Sequence, residues 1–214
     1  STTGATIKRN IQPFFADLWG GGFAIAHNGN ITNALSLRDE LIRKGSIFRS
    51  TSDTETILRL LDNYELEQVL SLLDGMVSIV IYSKENNSLI LYRDKSAQKP
   101  LYFCLSEDKK SVSVSSNPSL FFKLTTNFKK EYDSLELSNY LRNGFTSPAK
   151  TIYKRTFSST PGTLIKISLS DLIIDFNFSL IDNFESINLN VNEQILRKDF
   201  NQSIQSSLIG QRSC

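Results

Sequence analysis

Residues 23–55, FAIAHNGNITNALSLRDELIRKGSIFRSTSDTE, constrain the chain more than any other stretch. They open on an apolar run, 23–26, that reads as a buried strand. The strand is expected to stop at His27-Asn28-Gly29-Asn30, because an Asn-Gly pair tolerates positive φ and lets the backbone turn. A helix should follow, capped by Thr32 or Asn30, with Leu35, Leu41 and Ile42 near helical spacing. Gly45 sits where a C-terminal helix glycine belongs. Residues 50–55, Ser-Thr-Ser-Asp-Thr-Glu, form a polar knot that opens the next helix.

The chemistry open to this arrangement is specific. The Asn28 amide and the Gly29 N–H are neutral donors of the kind that stabilise a carbonyl oxygen as it gains charge. Asp53 is a carboxylate at a helix start, suited to a substrate ammonium. The plainer alternatives are an ordinary turn and an ordinary helix cap.

Length and composition narrow the field. The chain has 214 residues, 40% of them hydrophobic, with a net charge of +2. That suits one globular domain or slightly more. It gives no reason to expect a nucleic acid or a membrane as partner. Two cysteines, Cys104 and Cys214, make neither a metal spacing nor a disulfide framework, and a cytoplasmic setting is expected. With His27 as the sole histidine, a multi-histidine metal site is excluded.

Along the chain, residues 1–22 read as loop and strand entry, ending in three glycines. Residues 54–73 carry two short helices. Strands are expected at 75–82, 88–92, 99–103 and 111–115, with a late hairpin at 163–167 and 172–176 around Ser170-Asp171. Asp133 to Glu136 has the form of a capping box. Residues 178–191 are an Asn-rich connector, and Asn192 precedes an amphipathic helix. Helices followed by hairpins fit an α+β layered domain.

The wording AHNGNITNALSLRDEL, followed by Gly45, Phe48 and STSDTE, resembles the class II glutamine amidotransferases, a branch of the N-terminal-nucleophile hydrolases. With Ser1-Thr2-Thr3-Gly4 and Asn10-Ile11-Gln12-Pro13, residues 1–55 look most like amidophosphoribosyltransferases. Residues 74–208 resemble asparagine synthetases, through LLDGMVSIVIYSKENNSLILYRD, KPLYF, the LRNGF run at 141–145, Thr151-Ile152-Tyr153 and Pro161-Gly162. Ala97 stands where both families usually have glycine, and Asn117 where an acid is usual. Arg93 and Asp94 read as an ion pair at a strand end.

The resemblance implies a four-layer αββα sandwich, truncated at its N-terminus. It implies a glutamine amidotransferase domain over 1–177, a linker over 178–191, and the first helix of a following synthetase domain over 192–214. The implied site comprises Asn28 and Gly29 as oxyanion donors and Thr2 and Asp53 as glutamine ligands. In the family the nucleophile is a cysteine at the mature N-terminus, upstream of this start. An arginine that grips the glutamine carboxylate precedes the STTG run.

The expected reaction releases ammonia from glutamine for an acceptor domain of the same chain. The asparagine-synthetase type is preferred because the second region is longer. The alternatives are the amidophosphoribosyltransferase type of purine biosynthesis and a catalytically dead fragment or interaction module. No metal or cofactor is expected in this domain; ATP and magnesium belong to the synthetase domain, and the parent is expected to be a homo-oligomer. Neither cysteine holds the nucleophile position, so the 214-residue chain is expected not to turn over glutamine. Ammonia release in a glutaminase assay of this chain contradicts that expectation.

Overall fold

The computed structural model describes residues 8–18, 21–124, 126–171, 173–177 and 193–208. Among the described residues, nine strands form two antiparallel sheets. The larger has the order β1-β2-β3-β4-β8-β9, built from β1 (Phe14–Leu18), β2 (Gly21–Ile31), β3 (Gly75–Ser83), β4 (Ser88–Arg93), β8 (Leu164–Ser168) and β9 (Ile174–Asn177). The smaller has the order β6-β5-β7, from β5 (Tyr102–Leu105), β6 (Val112–Ser115) and β7 (Thr156–Ser158).

Strand alternation assigns the layers. Val77, Ile79 and Ile81 on β3, with Ile90 and Tyr92 on β4, face one way. There they meet α1 (Ala34–Arg43), α2 (Asp53–Leu60) and α3 (Leu66–Leu72) through Leu37, Leu41, Ile57, Leu60 and Val69. Leu91 of β4 and Ile165 and Ile167 of β8 face the other way, onto Leu101 and Phe103 of the small sheet. The outer face of that sheet, at Tyr102 and Cys104, is covered by Phe121, Phe122 and Phe128, the first two from α4 (Phe121–Leu124). The stack is helix, sheet, sheet, helix. Full burial of each such apolar side chain contributes about 1.5–3 kcal/mol.

The termini of α1 follow their chemistry. Gly45, at φ 96°, donates to Ile42 O, and Ser46 N donates to Leu41 O, which closes the helix in a Schellman pattern. The N-terminal cap is Asn33 rather than Thr32 or Asn30. Its side chain is spent across the sheet end, donating to Leu72 O and accepting from Asp74 N. Asp133 does cap α5 (Ser134–Asn143), but Glu136 leaves the box to accept from Ser147 N at 2.8 Å.

Arg93 and Asp94 are not paired with each other. The Arg93 guanidinium donates to the carbonyls of Ala97, Lys99 and Ser159, while the Asp94 carboxylate accepts from Val77 N and Ser96 N. Together they fold the segment that carries the chain from the large sheet to the small one. The 178–191 connector lies outside the described residues. The helix expected after it is α6 (Glu193–Leu208). No helix among the described residues is long and apolar enough to cross a membrane.

Ala97, where glycine was expected, keeps the left-handed conformation at φ 49°. An L-residue there costs about 1 kcal/mol. Ala97→Gly is therefore expected to stabilise the fold by about 0.5–1 kcal/mol and to raise Tm by roughly 2–3 °C. An unchanged or lower melting temperature by calorimetry contradicts this.

Candidate functional site

The Asn28-Gly29 pair does not turn. β2 runs straight through it, with Asn28 opposite Ser78 and Gly29 opposite Val77. The reason is the partner strand: β3 extends past the pair, so the ladder outweighs the turn preference of Asn-Gly. Gly29 is needed for a different reason from the expected one. A Cβ at position 29 would lie 1.9 Å from the Met76 carbonyl oxygen and 2.7 Å from His27 Nε2. Only a residue without a side chain lets β3 approach so closely.

The direction of each N–H in β2 follows from the ladder. Lys84 N donates to Gly22 O and Thr32 N to Asp74 O, at the two ends of the β2–β3 pairing. Val77 turns its own N–H and C=O the other way, to the Asp94 carboxylate and the Asp94 N–H. Even-numbered residues of β2 therefore bond β3, and odd-numbered ones point their N–H groups at the opposite edge.

That edge is closed at two rungs by side chains. His27 N donates to Gln12 Oε1 at 2.5 Å, and Ile31 N donates to Asp53 Oδ2 at 3.2 Å. Between them, Gly29 N–H has no ladder partner at this edge among the described residues. β1 ends its pairing at Phe14 opposite Ile25. Position 10, which that register would bring opposite Gly29, has turned into a 3-10 helix, Lys8–Asn10, and its side chain is tied to Thr51. The pairing leaves a buried main-chain donor one rung from a carboxylate.

Asp53 is set there by its helix. Ser52 caps α2 by accepting from Thr54 N, and Glu55 fastens the preceding loop by accepting from Ser50 Oγ, Ser50 N and Arg49 N. Asp53, only 2% exposed, sits in the first turn, where the helix dipole favours negative charge. His27 lies beside it, fully buried, with Nδ1 3.7 Å from Asp53 Oδ2 and Nε2 3.4 Å from Met76 O. His27 Nδ1 has no hydrogen-bond partner among the described residues.

The predicted residues thus fall into three groups. Gly29 and Asp53 are brought together at one edge. Asn28 is exposed, and by alternation its amide leaves the face opposite His27. Thr2 lies outside the described residues. Two cavities flank the edge. One, of about 530 Å³, is lined by Asn30, Thr32, Asp74, Met76 and Asp199; the other, of about 920 Å³, by Arg9, Phe14, Phe48, Arg49 and Arg59. Neither is lined by Asn28, Gly29 and Asp53 together. Sequence reasoning missed the contacts of Gln12 and His27, since nothing in their spacing reports a cross-strand partner.

Residues 5–175 match the glutamine amidotransferase domain family. The chain belongs to that family. Among its relatives, the amidophosphoribosyltransferase of Rhizobium etli is 59% identical over 61 residues, 28% of this chain and 12% of that protein. That of Methanocaldococcus jannaschii is 37% identical over 146 residues, 64% of this chain and 30% of that protein. The glutamine phosphoribosylpyrophosphate amidotransferase of B. subtilis, solved with ADP and GMP, superposes with a TM-score of 0.56 at 25% identity, over 81% of this chain and 32% of that one. This glutamine amidotransferase domain spans about a third or less of the length of these relatives. Its fold is the four-layer αββα sandwich of the N-terminal-nucleophile hydrolases.

The close approach at position 29 gives a direct test. Gly29→Ala must push β3 away and is expected to cost about 2–4 kcal/mol. A lowered urea midpoint with an unchanged slope is the expected result; a midpoint equal to wild type contradicts the strand geometry.

Proposed function

We infer that this domain releases ammonia from glutamine in a protein of the amidophosphoribosyltransferase type. One observation carries the reading: an edge donor, Gly29 N–H, lies one rung from the Asp53 carboxylate. Alternate residues of a strand are about 7 Å apart, on the order of the span from α-ammonium to carboxamide in extended glutamine. The parent activity is assigned from the names of the relatives in Rhizobium etli, Methanocaldococcus jannaschii and B. subtilis. Those names favour the amidophosphoribosyltransferase type over the asparagine-synthetase type, which had rested on residues 74–208.

The roles follow from the chemistry. A thiolate adds to the glutamine carboxamide carbon, and the carbonyl oxygen becomes an oxyanion. Gly29 N–H and the Asn28 amide receive it, each worth on the order of 3 kcal/mol in the transition state. The amide nitrogen takes up the proton that the thiol gave up, the C–N bond breaks, a thioester remains, and ammonia leaves for a phosphoribosyl acceptor domain. Water cleaves the thioester to glutamate and restores the thiol. Asp53 holds the α-ammonium, which fixes the carboxamide against the donors.

Cys104 is not the thiol of this scheme. It is buried against Phe121 and Phe128, accepts a hydrogen bond from Thr156 Oγ1 at 3.3 Å, and its pKa is pushed up by burial. A low-pKa, accessible thiol is what attack requires.

In the full-length gene product, Asp53→Asn is expected to raise KM for glutamine by about 10–100-fold, the worth of one charged hydrogen bond. Synthesis from added ammonia should stay within about twofold of wild type. Asparagine still accepts from Ile31 N, so the fold is kept. Equal loss of both activities assigns Asp53 a folding role and contradicts the reading.

A further inference from the structure

Gln12 closes the rung next to Gly29 on the free edge of β2. It stands opposite His27 in the register that β1 begins, but meets it with a side chain instead of the main chain. Its Oε1 accepts from His27 N at 2.5 Å, and its Nε2 donates to Thr54 Oγ1 at 3.0 Å. Thr54 is the second residue of α2, next to Asp53. One amide therefore joins the edge of β2 to the first turn of the helix that carries the acid.

The geometry has a mechanical consequence. At Ile31 the same helix grips the same strand edge through Asp53 Oδ2. β2 is thus pinned to α2 at two rungs, 27 and 31, on either side of Gly29. A strand held at both flanking rungs cannot slide or twist at the middle one without breaking a buried hydrogen bond. Asn10 reinforces the outer end, donating to Thr51 Oγ1 and accepting from Thr51 N. The main-chain pairing of β1 ends at Phe14, residues 8–10 turn into a 3-10 helix, and among the described residues Gly29 N–H has no strand partner at this edge.

We propose that Gln12 is a positioning residue for glutamine hydrolysis: it fixes the Gly29 donor at a set distance from Asp53. It touches neither the reacting atoms nor the ammonium. The proposal rests on the reading of Gly29 and Asp53 given above. Its expected signature is a fall in kcat with little change in KM, because a displaced oxyanion donor is felt in the transition state and hardly in the ground state.

Two variants and two readouts test it. Gln12→Leu removes both hydrogen bonds; Gln12→Glu keeps the acceptor for His27 N and can receive the Thr54 hydroxyl proton. In the full-length gene product, Gln12→Leu is expected to lower kcat for glutamine by about 10–100-fold with KM within threefold, and Gln12→Glu to recover to within about threefold of wild type. Independently, the His27 amide of the 214-residue chain should exchange with solvent at least tenfold faster in Gln12→Leu than in wild type or Gln12→Glu. Wild-type kcat in Gln12→Leu, or an effect confined to KM, overturns the positioning role. An unchanged His27 exchange rate overturns the clamp itself. If the clamp is confirmed by exchange but the wild-type protein does not turn over glutamine, the functional reading falls and the positioning role falls with it. If Gln12→Leu does not fold, Gln12→Glu decides alone: wild-type kcat and exchange support the proposal, and loss of either overturns it.

Discussion

The parity of the β2–β3 ladder governs everything said of the site. A strand has two edges, and each residue commits its N–H to one of them. In β2 the even residues are committed to β3 by the bonds at Gly22 and Thr32. The odd ones face outward, where β1 stops short and side chains take over. A shift of register by one residue would hand Gly29 N–H to β3 and turn Asn28 N–H outward instead. It would also bring Ile25 and Ile31 out of the helical core, so hydrophobic burial and donor direction are fixed by the same register.

The helix layer completes the arrangement. α2 is short, yet nearly all of it is buried, because its first turn is a set of satisfied polar groups. Ser52 caps it, Glu55 holds the loop at 49–50, and Asp53 and Thr54 reach across to the strand edge through Ile31 N and Gln12 Nε2. Buried polar groups stabilise only when each has its partner. Here the partners are also what set a carboxylate beside a main-chain donor. His27 fills the space beneath, and Gly29 leaves room for it by having no Cβ.

Much of the architecture was legible because it is written locally. Helical spacing gave α1 to α3, alternation gave β3, β4 and the β8–β9 hairpin, and Gly45 marked its helix end. What failed was non-local. The extension of β2 through Asn28-Gly29 depends on β3 partners about 50 residues away, so the local turn preference was read and the ladder was not. Thr32 and Asn30 were expected as caps for the same reason: Asn33 displaced them by tying itself to Leu72 and Asp74. At the site, the family wording pointed to Gly29 and Asp53, but their neighbours Gln12 and His27 carry no periodic signal at all.

The central claim is that Gly29 N–H is left out of the ladder between two closed rungs. Hydrogen exchange resolved to single amides measures this directly on the native chain. The account predicts slow exchange at His27, Asn28, Asn30 and Ile31 and exchange at Gly29 at least a hundredfold faster. Protection of Gly29 equal to that of its neighbours would mean the donor is already spent in the sheet, and would contradict the account.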